Sequence, residues 1–402
     1  MTLDIEKNYT PDRRGTNCAK WDGTLLRFGE TDLLPLWVAD MDFKAPDCVQ
    51  EALQNMIDHG VYGYYLAPQS YYESFISWEK RRHDYEVKKE WLRYTPGVVS
   101  GLYWFVNILT QPNDACIMLL PCYYPFMDAI RDTGRKLICC DLVNIGGRYT
   151  IDLAKFEDAI CRNNVKLFLL CSPHNPVNRV WTHKELKGLL DICEKHGVFV
   201  ISDEIHQDLI MSGHKHIPAA TVGEYDERLV TLTAASKTFN LAGCQNSFAV
   251  IPNEAIRKRF DQYVKSIRVI RGAMFGYVAV EASYNHGEPW LAEVLEIIEG
   301  NFKYLRDALL AELPTIVVTP LEGTYLAWID LGAYVPSEEL QNVVQNKCKL
   351  AVDYGEWFLE KGGDTHIRVN LATSRKNVET AVQNLVRGIK EFGKKCNSNG
   401  RV

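Results

Sequence analysis

Three short apolar runs, two of them rich in β-branched residues, each stop abruptly at a cluster of polar side chains. Val165-Lys-Leu-Phe-Leu-Leu-Cys171 leads into Ser172-Pro-His-Asn-Pro176. Val198-Phe-Val-Ile-Ser202 leads into Asp203-Glu-Ile-His206, and Leu229-Val-Thr-Leu-Thr233 leads into Ser236-Lys-Thr-Phe-Asn240. Runs of this length and character predict buried strands. Further strands are expected over 115–120, 136–142 and 247–251. Helical segments separate several of them, and Thr182-His-Lys-Glu185 has the form of a capping box before an apolar helical face that Gly197 closes. Strands alternating with helices predict an α/β architecture with a largely parallel sheet covered on both sides. Ligands collect at the carboxyl ends of such strands, where Asn175, Asp203 and Lys237 fall.

A chain of 402 residues exceeds what one hydrophobic core usually serves, so two domains are expected. The alternating part assigns 46–287 to a large domain. Residues 1–45 and 288–402 form a smaller α+β domain, with helices over 288–312, 337–348 and 377–392 and strands over 316–319, 324–330 and 366–371. Residues 396–402 are expected to fray. A formal net charge of −6 with 24% charged residues argues against a nucleic-acid binder; Lys88-Lys89 and Lys394-Lys395 read as solvated helix faces. No apolar run approaches the ~18 residues a bilayer span needs, and the first residues lack a signal-peptide pattern. The cytoplasm is therefore the expected compartment. The 12 cysteines include no C-x-x-C pair, which favours scattered reduced thiols over zinc or redox centres. His214 and His216 lack a third metal ligand nearby.

Lys237, at a strand end among small residues and hydroxyls, is placed to form a Schiff base with a cofactor aldehyde. A pyridine-aldehyde-phosphate cofactor also needs a buried carboxylate at its ring nitrogen. Asp203 can supply it, although a helix cap is its simpler reading. Asn175, between two prolines, can reach the ring's phenolic oxygen or serve as a plain turn. The phosphate needs backbone amides at a helix start, and Thr95-Pro-Gly-Val-Val-Ser100-Gly101 offers one opening at Ser100 and Gly101. Tyr123 can stack on the ring or belong to the core. Arg368, a lone cation in an apolar strand, suits either a substrate α-carboxylate or a structural ion pair.

Pro35-Leu-Trp-Val-Ala-Asp-Met-Asp-Phe43, Gly60-Val-Tyr-Gly-Tyr64, Ser172–Pro176, Ser202–His206 and Ser236-Lys-Thr-Phe-Asn-Leu-Ala-Gly243 resemble fold-type I pyridoxal-phosphate enzymes of aminotransferase class I/II. More narrowly, they are similar to the cystathionine β-lyase (cysteine-S-conjugate β-lyase) subgroup, over nearly the whole chain. The resemblance implies that Lys237 carries pyridoxal 5'-phosphate and Asp203 pairs with the pyridine nitrogen. It further implies that Asn175 meets the ring oxygen, Tyr123 stacks on the ring, and Val99, Ser100 and Ser236 bind the phosphate. Arg368 and the backbone near Ala39 would take the substrate carboxylate. Tyr64 would cross a homodimer interface to the neighbouring phosphate and complete the catalytic set with Lys237 and Asp203. The implied reaction is β-elimination of a thiol from cystathionine or a related cysteine conjugate, leaving pyruvate and ammonia. Transamination and a purely regulatory cofactor-binding protein stay open. His206 stands where aminotransferases usually have a tyrosine, which fits the lyases better. Asn178 replaces a usual glycine, Ala234 replaces a phosphate-binding serine (leaving Thr233 or Ser236 to compensate), and Cys244 replaces an apolar residue.

Overall fold

The structure is a computed structural model that describes residues 3–399. Its centre is a seven-stranded sheet: β1 (Leu92–Thr95), β2 (Ala115–Leu120), β3 (Lys136–Asp141), β4 (Val165–Cys171), β5 (Phe199–Asp203), β6 (Leu229–Thr233) and β7 (Ser247–Val250), in the order β1-β7-β6-β5-β4-β2-β3. Strands β3, β2, β4, β5 and β6 run parallel, while β7 is antiparallel to both neighbours. Strand β1 is not apparent in the sequence, because Leu-Arg-Tyr-Thr is short and only half apolar; it closes one edge of the sheet.

Strands covered on both faces must be apolar on both, and β2 and β6 are buried at every position. Along β4 the side chains part by alternation. Leu167 and Leu169 join Leu102, Phe105 and Phe126 on one face, whereas Phe168 and Leu170 join Phe156, Leu186 and Leu189 on the other. The helix His183–His196 begins with the anticipated box: Glu185 N–H donates to Thr182 Oγ1 at 3.3 Å, and Thr182 N–H donates to Glu185 Oε2 at 2.9 Å. Gly197 ends it with φ 68°, where a side chain would be strained.

A second, antiparallel sheet orders Val317–Val318, Leu326–Asp330, His366–Asn370 and Asp353–Tyr354 side by side. The helices Glu288–Glu312 and Arg375–Asn399 pack together beside it. Leu34–Pro35 pairs in parallel with Leu350–Ala351, which ties the N-terminal segment to this part of the molecule.

Two expectations change. The helix over 337–348 is instead a 3₁₀ turn, Ser337–Glu339, followed by a π-helical turn, Asn342–Lys347. The wider turn, closed by Cys348 N–H to Val343 O at 2.9 Å, seats Cys348 directly against Gly388 of the last helix, where any Cβ would collide with its sulfur. The last helix also runs on to Asn399 through most of the stretch expected to fray; Gly400–Val402 lie outside the described residues, as do the side chains from Lys395 onward. Lys88, Lys89 and Lys394 are exposed, and every described cysteine is a free thiol. Among the described residues no helix is long and apolar enough to cross a membrane.

Candidate active site

Strands β4, β5 and β6 are adjacent and parallel, so their polar tips gather at one edge of the sheet. There they line a cavity of 190 Å³. After β6 the short turn Ala235–Thr238 brings Lys237 back over the strand ends. Its Nζ donates to Ala39 O at 2.6 Å, and Tyr325 Oη donates to the same carbonyl at 2.7 Å. Burial is the main force on this amine and lowers its pKa to about 8; Arg368 adds to the effect, while Asp40 and Asp203 oppose it.

The loop bearing Ala39 is clamped from both sides. The Asn240 side chain accepts from Met41 N–H at 3.0 Å and donates to Met41 O at 3.0 Å and Phe43 O at 2.8 Å. Asp40 and Asp42 point to Arg13, at 2.6 and 2.9 Å, rather than into the cavity. The two aspartates of the Trp37–Phe43 run thus hold backbone in place.

Asp203, at the end of β5, is buried and accepts Ile205 N–H at 3.0 Å. Burial raises its carboxyl to about 7, against the opposing pull of the Ile205 amide and Lys237. His206 is driven down to about 3, chiefly by burial and then by the charges of Lys237 and Arg368, so its ring is neutral at physiological pH. Its Nδ1 is buried without a partner.

At the far end of the cavity the helix Val98–Leu109 begins two residues earlier than Ser100. Pro96 has no N–H, and Gly97 carries the chain in extended form to the first turn. The first intrahelical bond runs from Gly101 N–H to Gly97 O at 3.0 Å, which leaves the amides of Val98, Val99 and Ser100 unspent. Gly101 lies close over β6, where an added Cβ would stand 3.1 Å from Leu232.

Asn175 Oδ1 accepts from Arg368 Nη1 at 3.0 Å, and Asn175 O accepts Tyr123 N–H at 3.1 Å. Arg368 is 2% exposed and touches the cavity residue Asn175 without itself lining the cavity. It forms the structural ion pair that was one of its two readings, with Asp353, and it also donates to Trp37 O at 3.2 Å. Its Nε remains without a partner.

The structure therefore brings Ala39, Val99, Ser100, Tyr123, Asn175, Asp203, His206, Ser236 and Lys237 to one cavity. Tyr64 stands apart, fully exposed on the surface. Of the two residues offered to compensate for Ala234, Ser236 lines the cavity; Thr233 turns away and donates to Glu204 O at 3.3 Å. Asn178 keeps the glycine-like turn with φ 61° and accepts from Thr324 Oγ1 at 2.9 Å. His216 is spent on Glu204 at 2.9 Å, and no cluster among the described residues is arranged to hold a metal ion. Nothing in the structure accounts for Cys244. Sequence reasoning missed Asp353, Gln245, Asn246 and Cys171. Gln245 and Asn246 follow Lys237 in the same loop and were within reach of a closer reading; Asp353 meets Arg368 only through strand register.

The aminotransferase class I and II family profile matches residues 31–385. The chain belongs to that family. Within it, the chain is 37% identical over 376 residues to cystathionine beta-lyase PatB of Bacillus subtilis, covering 93% of this chain and 97% of the relative. Among solved structures of the family, cystalysin from Treponema denticola, which contains a pyridoxal 5'-phosphate cofactor, superposes with a TM-score of 0.93 at 34% identity, covering 98% and 100% of the two chains. The pyridoxal-phosphate-bound C–S lyase from Staphylococcus hominis superposes with a TM-score of 0.90 at 31% identity, covering 97% and 100%.

Proposed function

We propose that this member of the family is a pyridoxal-phosphate-dependent carbon–sulfur β-lyase. It acts on cystathionine or related cysteine S-conjugates and releases a thiol, pyruvate and ammonia. The observation that carries the reading is the placement of a buried lysine amine and a buried aspartate on one cavity whose far end is a cradle of unspent helix amides.

These residues fit the cofactor. Lys237 would hold its aldehyde. Asp203 has an oxygen to offer the ring nitrogen, and a cationic partner there would draw its carboxyl back to the ionised form. Asn175 would meet the ring oxygen, Tyr123 would cover the ring face, and Val99, Ser100 and Ser236 would bind the phosphate. When bound, the cofactor supplies an electron sink for the bonding pair at the substrate's Cα.

The protein's own task is to orient the substrate and move one proton. Arg368, whose Nη1 already reaches the cavity residue Asn175, would receive the α-carboxylate alongside Asn175 and the backbone near Ala39. The Lys237 amine, its pKa lowered by burial, would take the proton from Cα and deliver it to the departing sulfur. Cleavage of the Cβ–S bond then yields the thiol, and water releases pyruvate and ammonia. His206, neutral and buried, adds no competing charge beside the ring.

The active unit is a homodimer in which Tyr64 reaches the neighbouring phosphate. Residues 46–287 form the cofactor-binding domain, with 1–45 and 288–402 as the small domain. Free thiols throughout the fold suit the reducing cytoplasm. The test is pyruvate release from cystathionine, cysteine, cystine and S-alkyl cysteines with no keto-acid acceptor present. Product in stoichiometric excess over enzyme means elimination, whereas strict dependence on an acceptor means transamination and overturns the reading. Lys237→Ala should lose both the cofactor's visible absorption band and turnover.

A further inference from the structure

We propose that Arg271 of each subunit supplies the cation for the cofactor phosphate in the neighbouring subunit's cavity. This rests on the reading above that Tyr64 crosses a homodimer interface, and it adds a second residue to that crossing.

The argument begins with charge. A phosphomonoester carries about −1.5 to −2 at neutral pH, and a helix N-terminus offsets only about half a charge. The remaining donors at the anion end, Ser100, Ser236, Gln245 and Asn246, are neutral. Among the described residues lining the cavity the one cation is Lys237, whose nitrogen is committed to the aldehyde at the opposite end. His206 is uncharged. A single chain thus offers the phosphate hydrogen bonds without a matching positive charge.

The missing charge stands next to the residue already assigned to the crossing. Arg271 and Tyr64 line the same surface groove. Both are exposed, and Arg271 has neither an ion pair nor a side-chain hydrogen bond among the described residues. The two segments form one surface: Tyr62 packs on Phe275 with ring centroids 6.0 Å apart, and Tyr65 stacks on Tyr277 at 6.3 Å. Gly272 N–H donates to Tyr277 Oη at 2.7 Å, which fixes the backbone beside Arg271. Any partner that receives Tyr64 therefore also meets Arg271. Exposed Tyr62 and Phe275 line the groove, and Val61, Leu66 and Ile270, exposed on the same two segments, add apolar surface of the kind a second copy would cover.

The test compares Arg271→Gln with the wild-type dimer. The dissociation constant for pyridoxal 5'-phosphate should rise about 10- to 100-fold, that for phosphate-free pyridoxal should stay the same, and the dimer mass should not change. Arg271→Lys should recover most of the loss. Hybrid dimers of Arg271→Gln and Lys237→Ala subunits should regain one tightly held, lysine-linked cofactor each, because the intact lysine then receives an intact arginine from the other subunit. Unaltered phosphate-cofactor affinity in Arg271→Gln, or equal losses for both cofactors, overturns the proposal, as does a hybrid that regains nothing while the parallel Tyr64→Phe hybrid recovers. If neither hybrid recovers although dimers persist, the crossing of Tyr64 itself is wrong.

Discussion

Asp353 and Arg368 stand opposite one another on neighbouring antiparallel strands, and the aspartate takes Nη2 of a guanidinium whose Nη1 reaches Asn175 at 3.0 Å. One arginine is shared between a resident carboxylate and a residue of the cavity wall. Burial pushes the Asp353 carboxyl up, and Arg368 pulls it back. The pair sets the direction in which the free edge of the guanidinium faces.

Asp353→Ala should leave Arg368 buried without its counter-charge, at a cost of about 3–5 kcal/mol in stability. It should raise KM for amino-acid substrates by roughly tenfold while binding of a decarboxylated thioether amine is unaffected. Asp353→Asn, which keeps an acceptor for Nη2, should recover part of the KM. Equal weakening of both ligands would make the residue merely structural. Steady-state kinetics and thermal denaturation supply the comparison.

Lys237 should modify as an abnormally acidic lysine. In the cofactor-free protein the rate of acylation or reductive alkylation at this position should show a midpoint near pH 8, where its buried amine titrates, against about 10.4 for ordinary lysines. Peptide mapping across a pH series would reveal it. A midpoint with the bulk lysines would remove the basis for its role as a base.

Asp203 should make the cofactor-free protein less stable as pH rises. Its folded carboxyl titrates near 7, against about 3.9 unfolded. The folded state therefore holds a proton that the unfolded chain releases, and this contribution is full below about pH 4 and lost as pH passes through 7. Relative to Asp203→Asn, wild-type stability should fall by up to about 4 kcal/mol across that window. Saturating cofactor should abolish the fall, since a cationic ring nitrogen stabilises the ionised form. Denaturant melts at several pH values, with and without cofactor, measure both limbs.

Thr182→Ala removes the cap of a helix that does not line the cavity. It should cost about 1 kcal/mol in stability, with kcat and KM unchanged. A loss of activity would mean that the helix His183–His196 is coupled to the cavity.

The amino-acid order alone placed Asn175, Asp203 and Lys237 at strand ends, because a fully buried strand must be apolar along its length and the change to polar residues marks where it stops. The same local chemistry marked the Thr182 box and the Gly197 stop. The start of the helix at Val98 was legible only within two residues, since the sequence pointed to an opening at Ser100 and Gly101. Tertiary structure alone decided the rest. Asp353 meets Arg368 only through strand register, and Asp40 and Asp42 face Arg13 instead of the cavity because the N-terminal segment folds over their loop. A strand's polarity pattern is written in adjacent residues, whereas the partner of a buried charge comes from a distant part of the chain and exists only once the two are packed together.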